Sequence, residues 1–126
     1  MPVSFNLTPE KLTIYRTTAQ RRREQERPVL DRRREQAWAA ARQAARLLKE
    51  QFKATRVVVF GSLTRDSGFT RWSDVDVAAW GIAPEDTFRA IGAVMDMNTE
   101  IEVNLVDVNT CRPSLLKVIE YDGVEL

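Results

Sequence analysis

The sequence predicts a protein of the α/β class, more narrowly α+β, in which a mixed sheet is flanked by helices. Its 126 residues suit a single domain with one modest hydrophobic core. A long Arg-rich helical pattern comes first, and short strand-like runs alternating with helical segments follow it. We therefore divide the chain into an N-terminal helical extension, 1–54, and a core, 55–126.

The extension is predicted to be helical over 9–27 and 29–52, with a kink or break at Pro28, where one helix could end and another begin at its first turn. The second segment has an apolar stripe at helical spacing that should pack on the sheet. The stripe consists of Trp38, Ala41, Ala45, Leu48 and Phe52. The first segment lacks such a stripe, so it is either an exposed arm or a partner-binding helix.

Five further elements are predicted after residue 55. β-Branched or alternating runs indicate strands, and a Pro at the start of an apolar helical pattern indicates a helix. The strands are 56–60, 74–80 and 101–108, and the helices are 84–96 and 113–121. In the helix 84–96, the core side is expected to be Phe88, Ile91, Val94 and Met95. We expect the helices on one side of the sheet.

Composition excludes several kinds of site. The chain has no histidine and one cysteine, Cys111, so a zinc site, an internal disulfide and His-dependent nucleophiles are excluded. Any bound metal must therefore have oxygen ligands. No apolar run is long enough for a membrane span, and the N-terminal region carries arginines rather than a signal sequence. We expect a cytoplasmic protein.

Gly61 and Ser62 directly follow the buried strand 56–60. A glycine there lets the backbone approach a ligand, and a helix start after it would bind an anion such as phosphate, with Arg65 as a charged partner. Asp74 and Asp76 are one residue apart on a strand, so their side chains share a face. Two adjacent carboxylates favour Mg²⁺ bound together with substrate phosphates.

A third metal ligand is expected from the strand 101–108. Glu102 and Asn104 lie on one face of that strand and Asp107 on the other. We favour Glu102, because a neutral amide offsets the charge of Mg²⁺ less well than a carboxylate. Otherwise the site has only two carboxylates and is slow or inactive. Asp107 is expected in a turn or on the surface.

The segments VVVFGSLTRDSGFTRWSDVDVAAW and EVNLVDV resemble the minimal nucleotidyltransferases, or MNT proteins, of the polymerase-β-like superfamily. The hallmark of that superfamily is Gly-Ser, a spacer, and then Asp-x-Asp. The resemblance covers about residues 55–126. It departs from the family pattern at Asn104, where an acid is usual.

The resemblance implies a nucleotidyltransferase fold and transfer of a nucleoside monophosphate, AMP from ATP, to a hydroxyl on a protein or RNA. It also implies an antitoxin role beside a HEPN-type toxin. The expected nucleotide-binding residues are Gly61, Ser62, Arg65 and Ser73, and the expected catalytic and Mg²⁺-binding residues are Asp74, Asp76 and Glu102. The alternatives are an inactive MNT-fold module that neutralises its partner by contact, and an RNA-binding protein.

The net charge is uneven: residues 1–54 carry thirteen Lys and Arg against six Asp and Glu, and residues 55–126 carry six against twelve. The clusters 21–23 and 32–34 supply much of the positive charge. They are interpreted first as a solvated face, with RNA or tRNA contact and docking on an acidic partner as alternatives. Cys111 and the three tryptophans are interpreted as packing residues.

Overall fold

A single long helix precedes a four-stranded sheet in the computed structural model, which describes residues 8–65 and 68–126. The first seven residues of the predicted extension, and residues 66–67 of the spacer between the Gly-Ser turn and Asp74, lie outside the described residues. The elements are α1 Pro9–Phe52, β1 Arg56–Phe60, β2 Val75–Trp80, α2 Thr87–Met95, β3 Val103–Asp107, α3 Pro113–Asp122 and β4 Val124–Glu125.

Of the kink or break predicted at Pro28, the break is wrong, because α1 continues through the proline, and the kink stays a prediction. Proline removes one backbone donor and crowds the preceding turn. The residues around Pro28 are exposed, so the carbonyl left without its partner can be hydrated. The Thr8 hydroxyl caps the start of the helix by accepting from the Lys11 amide at 3.2 Å, and Lys53 ends it in the left-handed conformation.

Only the second half of α1 belongs to the core. Its buried residues are Ala37, Ala40, Ala41, Ala44, Ala45, Leu48 and Phe52. This confirms the predicted stripe except at Trp38, which is partly buried. The many alanines allow the helix to approach the sheet closely. None of the helices described is long and apolar enough to cross a membrane.

The sheet is mixed, as predicted, with the strand order β3-β2-β1-β4. β2 pairs with β3 in parallel, and β1 pairs with β2 and β4 antiparallel. The parallel pair requires a crossover connection, which α2 supplies. Val124–Glu125 form β4, and a strand of two residues could not be predicted from the sequence alone.

The helices pack on both faces of the sheet, so the prediction that they lie on one side is wrong. Val57 and Val59 of β1 belong to the core beneath α1 and α2. Val58 and Phe60 point the other way, into a smaller cluster with Ile119 of α3. A strand that is apolar on both faces needs cover on both, and α3 provides the second layer.

The predicted core side of α2 is confirmed at Val94, half-buried at Ile91, and wrong at Phe88 and Met95. Phe88 and Met95 are exposed, at 87% and 62%, whereas Thr87, Ala90 and Val94 are buried. Residues Pro84–Asp86 form a 3-10 turn, so the α-helix starts only at Thr87. The Thr87 hydroxyl donates to the Asp107 carboxylate at 2.7 Å. Asp107 is buried rather than on the surface, but it lies at a turn as predicted, since its Oδ1 accepts from the Asn109 amide at 3.0 Å.

Candidate active site

Asp76 is the second residue of β2, the strand that pairs antiparallel with β1 on one side and parallel with β3 on the other. In the strand register it is paired with Phe60 of β1 on one side and Asn104 of β3 on the other. Gly61 follows Phe60 directly, so the end of β1 delivers the Gly-Ser turn to the same place. The sheet thus brings together two motifs that are separated by more than ten residues in the sequence.

Gly61 approaches Asp76 at a distance that only glycine permits. Its φ is +85°, in the left-handed region, and a Cβ built on it would lie 3.0 Å from Oδ2 of Asp76. An L side chain there would be strained and would crowd the carboxylate. The backbone at this turn therefore lies directly against the carboxylate.

The Gly-Ser turn is short. Residues Gly61–Thr64 form one turn of 3-10 helix, closed by a hydrogen bond from the Thr64 hydroxyl to the Gly61 carbonyl at 3.0 Å. An α-helix, whose dipole would attract phosphate, does not start at this turn. Any anion at this turn would be held by local N-H groups and the Ser62 hydroxyl.

The pKa of Asp76 is raised above its ordinary value. Burial is the main cause, and the neighbouring charge of Asp74 adds to it. A hydrogen bond that Asn104 Nδ2 donates to Asp76 Oδ1 at 3.4 Å acts in the opposite direction. A bound cation would relieve both causes of the increase.

Glu102 and Asn104 are the two candidates for the third metal ligand. Glu102 immediately precedes Val103, the β3 partner of Val75, just as Asp74 immediately precedes Val75. Among the described residues, however, no three His, Cys, Asp or Glu side chains are grouped closely enough to hold a metal ion. Asn104, not Glu102, contacts Asp76 in this arrangement. Glu102 as the third ligand stays a prediction.

The donor set fits Mg²⁺. It consists of the Asp74 and Asp76 carboxylates and the Asn104 amide, all of which can offer oxygen. Mg²⁺ is commonly held by one or two carboxylates, with water and substrate phosphates completing its shell. A two-carboxylate site therefore suffices for a metal that arrives with a nucleotide.

The two remaining nucleotide-binding candidates already have partners. The Arg65 guanidinium forms an ion pair with Asp122 of α3, with distances of 3.2 and 3.1 Å to Oδ2. The Ser73 hydroxyl accepts from the Thr70 amide at 2.9 Å and so closes the turn that leads into β2. Both residues flank the site, and their contact with a nucleotide stays a prediction.

For two residues near the site, the structure differs from the interpretation that the sequence favoured. Arg33 was interpreted as part of a solvated face, but its Nη2 donates to the Ser73 carbonyl at 3.0 Å. It lies four residues before Ala37, so the buried periodicity of α1, followed one turn further back, would have indicated it. Trp72, interpreted as a packing residue, is 76% exposed beside Asp74.

No family model and no curated protein matches the chain. Solved structures do match. One chain of the toxin-antitoxin MntA-HepT structure is 16% identical with a TM-score of 0.51, and the match covers 70% of this chain and 69% of that one. The chain has the MNT fold.

Two further structures support the same fold. One is a toxin-antitoxin with AMP-PNP, at 19% identity and a TM-score of 0.55, covering 68% of this chain and 70% of that one. The other is a tri-AMPylated Shewanella oneidensis HEPN toxin in complex with MNT antitoxin, at 16% identity and a TM-score of 0.52, covering 71% and 70%. The predicted MNT fold is confirmed; identities this low show the fold alone.

Proposed function

We propose that this protein is an Mg²⁺-dependent nucleotidyltransferase that acts as the antitoxin of a HEPN-type toxin. It transfers a nucleoside monophosphate, AMP from ATP, to a hydroxyl of that partner. One observation carries the proposal: Gly61 lies so close to Asp76 that a Cβ built on it would be 3.0 Å from Oδ2 of that carboxylate, and Asp74 lies two residues away. A backbone turn meets an acidic pair there, as a metal-bound triphosphate requires.

The reaction is a displacement at the α-phosphorus. The oxygen of the acceptor hydroxyl forms a bond to the α-phosphorus and loses its proton, while the bond to the bridging oxygen breaks and pyrophosphate leaves. Mg²⁺, when bound, neutralises phosphate charge and lowers the pKa of the attacking hydroxyl. Asp74 and Asp76 would hold the metal, and the Gly61-Ser62 turn would hold the triphosphate.

The comparisons support the choice of partner and nucleotide. The similar structures are complexes of a toxin with an antitoxin, one of them with AMP-PNP and one with an AMPylated HEPN toxin. AMP as the transferred group and a HEPN protein as the acceptor are the simplest extension of that likeness to this chain. An RNA hydroxyl is the alternative acceptor.

The test is label transfer from ATP that is radioactive at the α-phosphate. The protein is incubated with Mg²⁺ and either a HEPN-type protein or RNA. We expect labelled partner protein, and at least a hundredfold loss in Asp74→Asn, since removing a transition-state electrostatic contact costs about that much. Asp96→Asn, an exposed acid at the end of α2, is the matched control and should keep full activity.

Undiminished transfer by Asp74→Asn would overturn the assignment of the acidic pair. Label on RNA but not on protein would replace the acceptor. Glu102→Gln in the same assay separates a three-carboxylate site from a two-carboxylate one, because only the former loses activity.

A second candidate function rests on Asn104. It donates to Asp76 from the position where the family pattern expects an acid, so the chain has the features of an MNT-fold module that neutralises a toxin by contact alone. That hypothesis predicts that partner binding survives Asp74→Asn while no transfer is detected in the wild type. Transfer by the wild type would reject it.

A further inference from the structure

We propose that Arg33 is a positioning residue for the acidic pair, so that the N-terminal helix sets the geometry of the site. The proposal rests on the proposed function. Arg33 lies on α1, far from Asp74 in the sequence, and its Nη2 donates to the carbonyl of Ser73, the residue before Asp74, at 3.0 Å.

Asp74 depends on its backbone for its position. The side chain is exposed, and it has no hydrogen bond or ion pair to any of the described residues. Its direction is therefore set by the peptide units on either side. On the far side, the Val75 amide donates to the Glu102 carbonyl at 2.9 Å. On the near side, the Arg33 hydrogen bond to the Ser73 carbonyl is the corresponding restraint.

The segment before Asp74 is tied internally and then anchored to α1. Ser73 and Thr70 close the turn through two hydrogen bonds, of 2.9 Å to the Ser73 hydroxyl and 3.1 Å from the Ser73 amide. Arg34, the next residue on α1, places its guanidinium 5.1 Å from the centre of the buried Phe69 ring. α1 thus contacts the segment at its start and at its end.

The position of the half-buried Arg33 is difficult to explain by stability alone. Its Nε is buried and, within residues 8–65 and 68–126, has no hydrogen-bond partner. A buried polar group without a partner is unfavourable, and most arginines on this helix avoid it by remaining exposed. The guanidinium of Arg33, which is always charged and carries several N-H donors, instead donates to the Ser73 carbonyl just before β2.

The test compares Arg33→Met with Arg32→Met, its exposed neighbour, in binding of Mg²⁺ and an ATP analogue whose α-β bond cannot be cleaved. Methionine keeps the apolar length of the side chain and removes the donor. We expect Arg33→Met to weaken binding by about tenfold or more, as for other groups that orient a metal ligand. Arg32→Met should bind as the wild type does.

Arg33→Lys separates positioning from general packing. An ammonium can still donate to the Ser73 carbonyl, so we expect this variant to recover most of the lost affinity although it fills the space less well. In the transfer assay the effect of Arg33→Met should appear in kcat as well as in KM, whereas a general loss of folded protein would lower kcat alone. Thermal unfolding checks that the variants are folded.

Each outcome either supports or overturns the positioning role of Arg33. Wild-type affinity in a folded Arg33→Met, or equal losses in Arg33→Lys and Arg33→Met, would overturn the positioning role and leave the proposed function intact. No nucleotide binding by the wild type would overturn both. If Arg33→Met does not fold, amide chemical shifts in Arg33→Lys are compared with those in Arg32→Lys: changes centred on residues 73–76 support the role, and unchanged shifts there reject it.

Discussion

Asp76 combines two opposing demands: it is half-buried beside another acid, yet binding a metal requires it to be ionised. Because burial and Asp74 raise its pKa, ionisation destabilises the folded metal-free protein. This destabilisation is absent below the ordinary pKa of 3.8 and complete above the raised pKa, so the penalty grows as pH increases through that interval. The acid is retained against stability, which is typical of a functional group.

We therefore predict that Asp76→Asn stabilises the metal-free protein at neutral pH and raises its Tm, because the neutral amide avoids the cost of a half-buried charge. Asp74→Asn, at the exposed acid, should have a smaller effect. Thermal unfolding with a chelator present measures both. An unchanged or lower Tm in Asp76→Asn would contradict the account.

Gly61 provides a second prediction for a single residue. Gly61→Ala places a side chain in the left-handed region and against the Asp76 carboxylate, so it should cost about 1 to 2 kcal/mol and weaken Mg²⁺-nucleotide binding. Gly92→Ala is the matched control: that glycine is in α2, a built Cβ meets no atom within 4 Å, and alanine should be neutral or stabilising. Thermal unfolding and nucleotide titration distinguish the two. Tight binding by Gly61→Ala would show that the close approach is unnecessary.

The helix α1 contains a proline in its interior, where proline is normally unfavourable. It is continuous through Pro28, and the part before residue 30 is exposed on all sides. Pro28→Ala should restore a hydrogen bond and favour the helix by up to about 3 kcal/mol locally. Because that part makes no core contact, the Tm should change by less than about 2 °C, as for a surface substitution.

Hydrogen exchange measures the Pro28→Ala effect directly. Amides of residues 9–27 should exchange more slowly in the variant, while those of residues 40–48 should be unchanged. Equal exchange in both proteins would mean that the first half of α1 does not form a helix on its own. A large increase in Tm would mean that it is coupled to the core.

The sequence predicts those elements whose composition fixes them. β1 is apolar on both faces and β-branched, so its bounds are confirmed, and the alanine-rich stripe of α1 is confirmed because its period matches its burial. The start of α2 could not be predicted, since the Pro-Glu-Asp that suits a first helical turn forms a 3-10 turn instead. Phe88 and Met95 lie in solvent, because the buried side of α2 is formed by Thr87, Ala90 and Val94.

At the scale of the whole molecule, the candidate site exists because the sheet joins two separate segments. Gly61 and Asp76 were predicted as motifs, and their approach required the antiparallel pairing of β1 with β2, which the sequence does not specify. Arg33 could not be identified because its partner is a backbone carbonyl, which leaves no side-chain signature. Its contact with the β2 entrance depends on the docking angle of α1.

Calorimetric titration of the protein with the uncleavable ATP analogue, in Mg²⁺ and in a chelator, tests whether the Gly61-Ser62 turn and the acidic pair form a metal-nucleotide site. We predict one site per chain, Mg²⁺-dependent binding, and loss of that binding in the double variant Asp74→Asn, Asp76→Asn. Equal binding without Mg²⁺, or undiminished binding by the double variant, would show that the Gly61-Ser62 turn and the acidic pair do not form a metal-nucleotide site.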